Sequence, residues 1–241
     1  MPYVQLRPSE LVDQALVLGR KHFWPLLTIG GLPMLVAWEL SHLARLAGVY
    51  TSWRGFGYLF SAYAFTALAD AAMMTAAWKI LHAQPVTLGE VWRQVGGRAT
   101  SVVVGYVWRS VVFSFGIALL IFPGLYIATL YFAIPGTFAI EDLGLVRGMR
   151  RSRALAAGAM RLVFLSCTLF MIATLVVGAL IPLSLRRFSA PTIAFRLVPL
   201  MWFLVVAPFR AALVARVYAD RRAAKEGYDL DLLLAGLASP A

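Results

Sequence analysis

Two ionisable side chains stand inside otherwise oily stretches. Asp70 lies in FGYLFSAYAFTALADAAMMTAAW and Arg109 in ATSVVVGYVWRSVVFSFGIALLIF. Asp70 is nine residues before Lys79, and Arg109 is about ten residues into its own stretch. At 1.5 Å per helical residue, each lies about 13–15 Å from the same end of its helix. An isolated charge at that depth in a bilayer is expensive, and a satisfied pair is much less so. The matched depths predict an Asp70–Arg109 ion pair. Its chemistry would be that of a proton or substrate relay. The structural alternatives are a pair that only holds helices together, or Asp70 bonded to helix hydroxyls while Arg109 snorkels.

A second constellation is Glu39, His42 and Arg45, spaced i, i+3, i+6 near the end of an apolar helix. These residues share one side of that helix and form an outer-interface polar cluster, able to hold a metal or a polar headgroup, or simply to let Glu39 pair with Arg45 or Arg54. His22 and His82 have no carboxylate or Cys neighbours at metal spacing, and the single Cys167 sits in an apolar run, so no metal site and no cofactor is expected. HExxH, GxSxG and GxxxxGK[ST] are absent. Ser152 between Arg151 and Arg153 has no base nearby in sequence and reads as a helix residue. The chain is therefore expected not to be an enzyme. Arg147, Arg150, Arg151 and Arg153 cluster without interleaved aromatics, which favours lipid phosphate over nucleic acid as their anion.

The elements that carry these residues follow from composition. The 241 residues are 61% hydrophobic and 14% charged, with a mean hydropathy of +0.78. A soluble domain is about half apolar and a quarter charged, so a soluble enzyme is excluded, and so is a disordered chain. At about 20 residues per crossing, six helices fit. They are placed at about 23–44, 56–78, 99–122, 125–140, 160–183 and 197–219, in one all-α membrane domain. Pro123-Gly124 makes a tight hairpin between the third and fourth. Three short amphipathic helices interrupt the spans. Residues 8–22 carry Leu11, Val12, Ala15, Leu16 and Gly19 as an apolar stripe, with Ser9 as N-cap. Residues 85–98 open on a Thr87–Glu90 capping box, and residues 141–158 carry the arginine cluster. The order amphipathic helix, then two spans, recurs three times.

The formal charge of +11 is distributed unevenly. With the N-terminus inside, only Arg45, Arg54, Arg186, Arg187 and Arg196 are outer, and Arg109 is within a span. The other sixteen Lys and Arg are inner, Arg210 and Arg216 at the end of the last span among them. That bias places both termini, the 220–241 tail and the amphipathic helices in the cytoplasm, against anionic headgroups.

Four stretches in order resemble a known bacterial family. They are LRPSELVDQALVLGRKHFWPLL, FPGLYIATLYFAIPGTFAIED, GLVRGMRRSRALAAG and VYADRRAAKEGYDLDLLL. The family is the membrane domain attached to some glycerophosphodiester phosphodiesterases, with related stand-alone six-span proteins of uncharacterised role. The closing motif is carried by Tyr218, Asp220, Arg221, Arg222, Lys225, Glu226, Gly227, Tyr228, Asp229 and Leu230. Here Arg221 follows Asp220 directly, and Ala219 precedes it where the family more often has an aromatic. The diesterase activity of the fused relatives belongs to a separate soluble barrel and does not carry over. The resemblance implies a multi-pass protein of the bacterial inner membrane. The expectation is a non-enzymatic lipid-contacting scaffold, membrane-homeostasis module or subunit of a membrane-protein partner. The alternative is a small-solute or lipid transporter or channel using Asp70 and Arg109.

Overall fold

The computed structural model describes residues 6–48, 52–119, 121–141, 143–187 and 192–226. Helices account for nearly all of them, and no strand occurs among the described residues. The helices are α1 (Pro8–Lys21), α2 (Phe23–Leu46), α3 (Trp53–Leu81), α4 (Leu88–Gly96), α5 (Ala99–Leu119) and α6 (Ile121–Leu130). They continue with α7 (Ile134–Ala139), α8 (Leu145–Ala156), α9 (Met160–Val163), α10 (Leu169–Arg187) and α11 (Thr192–Glu226). One π-helical turn, Phe164–Thr168, joins α9 to α10 without a break. Five segments are long and apolar enough to cross a membrane: Phe23–Leu46, Trp53–Leu81, Ala99–Gly116, Met160–Arg187 and Leu197–Glu226.

The expected fourth span, 125–140, is not one helix. It breaks at Tyr131–Ala133 into α6 and α7, each too short to cross alone. The two pieces nonetheless run back along α5. A Cβ on Gly116 would strike the Gly124 backbone, a Cβ on Gly105 would strike Phe138, and Arg98 donates to the Ala139 carbonyl at 2.6 Å. Ser152 of α8 explains how the break is tolerated. Its buried hydroxyl donates to the Leu130 carbonyl (2.9 Å) and accepts from the Ala133 amide (3.3 Å), joining the end of α6 to the start of α7. Ser152 is thus a helix residue, as its sequence setting predicts, with the added role of closing a neighbouring helix break.

α3 is the central helix. Its run from Ala67 to Ala77 holds six buried alanines, and small residues let helices approach closely. Met73 and Met74 fill the space left by Gly30 of α2 and Gly136 of α7, where a Cβ would fall within 2.6 Å of the methionine side chains. Proline inside α2 creates a specific debt of hydrogen bonding. Pro33 has no N–H, so the Ile29 carbonyl loses its helical donor. The indole Nε1 of Trp92, on α4, donates to that carbonyl at 3.2 Å.

All three expected amphipathic helices form, as α1, α4 and α8. α1 opens on Pro8 at its first position, and the Glu10 carboxylate accepts the Arg7 amide at 2.8 Å, so the cap falls at Arg7 and not at Ser9. Pro favours the first helical position, where its missing N–H is not needed. α1 does not lie free on a surface. Leu11, Ala15 and Gly19 are buried, Gly19 meets Phe209, and Gln14 accepts from Arg216, so α1 packs antiparallel along α11. Glu10, Asp13, Leu16, Val17, Arg20 and Lys21 of α1 stay exposed. α4 buries Val91 and Val95, its Thr87 hydroxyl accepts the Glu90 amide at 3.4 Å, and Glu90 pairs with Lys79 at 2.6 Å. The Lys79 ammonium holds the Glu90 carboxyl below the usual carboxylate range.

Candidate functional site

The bundle holds a cavity of about 340 Å³ between α3, α5, α6, the π turn, α10 and α11. Asp70, Tyr106, Arg109, Cys167, Thr168 and Arg210 bring polar or polarisable atoms to its wall. Each arrives for a local reason. Tyr63 and Asp70 lie two turns apart on one face of α3, and Tyr106 and Arg109 lie one turn apart on α5. The π turn at Phe164–Thr168 adds a residue to its helical turn and brings Cys167 and Thr168 to the wall, with Thr168 bonded to Thr129 at 3.0 Å. α11 contributes Arg210 from its middle.

Asp70 and Arg109 therefore do line one space, yet they are not each other's partners. The Asp70 carboxylate accepts from Arg210 in a direct ion pair. No hydrogen bond or ion pair of Arg109 occurs among the described residues, although its charge acts on Asp70 across the cavity. The expected Asp70–Arg109 pair is thus corrected to Asp70–Arg210. The reason is packing: α3 lies against α11 as well as α5, and only the α11 guanidinium reaches the carboxylate. A signal for Arg210 was present in the sequence. It lies nine residues before Ala219, as Asp70 lies nine before Lys79, so the two share a depth. Assigning Arg210 to the inner surface hid that match. Two guanidiniums against one carboxylate leave the site with one net positive charge.

Two further depressions adjoin the cavity and share residues with it. One, about 360 Å³, is lined by Ser41, Arg45, Thr66, Tyr63 and Tyr106. The other, about 350 Å³, is an apolar groove between α3 and α5 with Phe56, Phe60, Val111 and Phe115 on its walls and Tyr63 and Ser110 at its inner end. Glu39, His42 and Arg45 all lie on α2, and Arg45 alone reaches the first depression. No group of three His, Cys, Asp or Glu side chains placed to hold a metal occurs among the described residues.

At the other end of α11 the arginine segment and the closing motif meet. Arg151 pairs with Glu141 at 2.8 Å and with Glu226, and Arg222 reaches Glu141 (3.5 Å) and Glu226 (3.3 Å). The Tyr218 hydroxyl also donates to Glu141. The Arg222 guanidinium lies 5.4 Å from the Trp78 ring centre. Lys225 donates to the Ala154 carbonyl and Arg221 to the Leu155 carbonyl, and the Asp220 side chain is buried beside them. The Glu226 and Glu141 carboxylates raise the Arg151 pKa further. Arg151 is therefore committed to protein carboxylates and is not part of a lipid-facing set. Arg147, Arg150 and Arg153 remain exposed, Arg153 at 5.3 Å from the Tyr131 ring centre. Glu141, the acidic hub, was not singled out in the sequence. Gly227, Tyr228, Asp229 and Leu230 lie outside the described residues.

Comparison of the chain with protein-family models, with curated proteins and with solved structures finds no match in any of the three.

Proposed function

We propose that this is a multi-pass membrane protein that takes a small solute or a lipid into the cavity between Asp70, Arg109 and Arg210, as a transporter or channel. The observation that carries this reading is the convergence of three ionisable side chains from three membrane-length helices on one cavity. Charged residues inside such helices mark substrate and ion pathways. Prolines within α2, α10 and α11 supply the discontinuities on which such pathways are commonly built. In this reading the chain makes six crossings, the fourth being α6 and α7 in series. Both termini are cytoplasmic in a bacterial inner membrane, and the kinship is with the six-span membrane domains named above.

Reconstitution tests the proposal. Proteoliposomes would be assayed for chloride, phosphate and acetate flux and for scrambling of a fluorescent phospholipid. Flux of at least one class above protein-free vesicles, abolished by Asp70→Asn, is the expected result. Flux of none, or flux indifferent to Asp70→Asn, contradicts it.

A second reading is a non-enzymatic, lipid-contacting scaffold or partner subunit. It is favoured by the exposed Arg147, Arg150 and Arg153 of α8 beside Val146, which is 60% exposed. Unchanged association with anionic vesicles after replacing those three arginines would remove its support.

A further inference from the structure

The charge balance and the adjoining groove bear on what the cavity accepts. Asp70 satisfies Arg210, and Arg109 is left with no hydrogen-bonded anion among the described residues. A guanidinium in a low-dielectric site gains from an acidic ligand that brings its own charge and acceptor oxygens. The apolar groove reaches the same place from the side. It shares Tyr63 and Ser110 with the cavity. Phe56, Phe60, Val111 and Phe115 on its walls are 43–67% exposed and face outward from the bundle. Along α3 the distance from Phe56 to Asp70 is fourteen residues, roughly 21 Å of helix rise. A cationic site thus opens into an elongated oily groove that is open to the side.

We propose that the ligand is an anionic single-chain amphiphile drawn from the bilayer. Its carboxylate or phosphate head sits between Arg109 and Arg210, and its chain lies in the α3–α5 groove. Tyr106 and Ser110 flank the head with hydroxyls. The Asp70 carboxylate orients Arg210 and limits the site to one net positive charge, which suits one acidic group. A zwitterionic head adds an ammonium that the two guanidiniums repel. This inference rests on the solute-or-lipid reading of the cavity and narrows it.

The test is titration of the full chain in neutral detergent by native mass spectrometry, with palmitate, lysophosphatidate, lysophosphatidylcholine and inorganic phosphate as probes. Palmitate and lysophosphatidate are expected to bind one per chain, at least about tenfold more tightly than the other two. Arg109→Gln should weaken both by about tenfold or more, and Arg109→Lys should recover part of that loss. Val111→Trp, which fills the groove, should weaken the amphiphiles and leave inorganic phosphate unchanged. If inorganic phosphate binds as tightly as lysophosphatidate, the groove plays no part and the amphiphile is wrong while the cavity reading stands. If Asp70-dependent flux is present but no acidic amphiphile depends on Arg109, the ligand class is wrong and the cavity still conducts something else. If neither flux nor Arg109-dependent binding occurs, both readings fall.

Discussion

Replacing Asp70 and Arg210 singly and together examines the pairing on which the cavity is built. Two unit charges about 3 Å apart attract by about 5 kcal/mol at an effective dielectric of about 20. The Asp70 side chain is 13% exposed and that of Arg210 is 36% exposed, so part of the attraction is lost to the cavity side. Desolvation of both groups offsets more of it. A coupling of about 2 kcal/mol remains. Asp70→Ala should be the worse single change, because it leaves Arg109 and Arg210 repelling each other. Arg210→Ala leaves Asp70 with Arg109 still across the cavity, and its penalty is smaller. The double variant should be about 2 kcal/mol more stable than the sum of the singles predicts. The same cycle run on Asp70 and Arg109 should give under about 1 kcal/mol, since those two are not in contact. Reversible unfolding in mixed micelles, followed by tryptophan fluorescence, supplies the four free energies. Additivity for Asp70–Arg210, or a larger coupling for Asp70–Arg109, would refute the assignment.

Trp92→Phe should destabilise the protein by about 1–2 kcal/mol, because the Ile29 carbonyl then has no donor. In a Pro33→Ala background, where residue 33 can donate to Ile29 itself, the same change should cost less than about 0.5 kcal/mol; equal losses in both backgrounds contradict the account. Ser152→Ala should cost about 2 kcal/mol in the same unfolding assay by orphaning the Leu130 carbonyl and the Ala133 amide, and a neutral effect would show that the α6–α7 break is held otherwise. The folded Glu90 carboxyl titrates below its ordinary value, so its contribution is present above about pH 4.5 and fades as pH falls through the lower folded value. Glu90→Gln should therefore narrow the stability difference between about pH 6 and about pH 3, and an unchanged acid profile would count against the Lys79 contact.

The architecture was largely legible because hydropathy sets where a chain of this composition can cross a bilayer. Five helices long and apolar enough to cross a membrane, and the three short amphipathic helices, emerge at nearly the expected positions, since apolar length and 3.6-residue periodicity are local properties. The break in the fourth span has a signal in the sequence, since Pro135 has no N–H for the Tyr131 carbonyl and stands in the first turn of α7. What was not legible is the bridging of the two ends by Ser152, which is distant in sequence. Orientation of side chains across helices was also out of reach. Asp70 and Arg109 share a cavity as their depths predict, but the choice of Arg210 as partner depends on where α11 packs. The arginine cluster looked uniform in sequence. Its division into Arg151, bound by Glu141 and Glu226, and three exposed arginines arises only when α8 meets the end of α11.

The proposed function requires a polar, ligand-accessible cavity within a membrane-spanning bundle. Ser110 lines that cavity beside Arg109, and Cys167 is the sole cysteine. With Cys167→Ala and Ser110→Cys combined, the protein in sealed vesicles can be treated with a small charged, membrane-impermeant thiol reagent. A control carrying Val176→Cys in the same Cys167→Ala background, at a position 51% exposed on α10, is treated in parallel. Modification of the thiol at position 110, with none at 176, is the predicted result. Inertness at 110, or equal reactivity at both positions, would contradict the account.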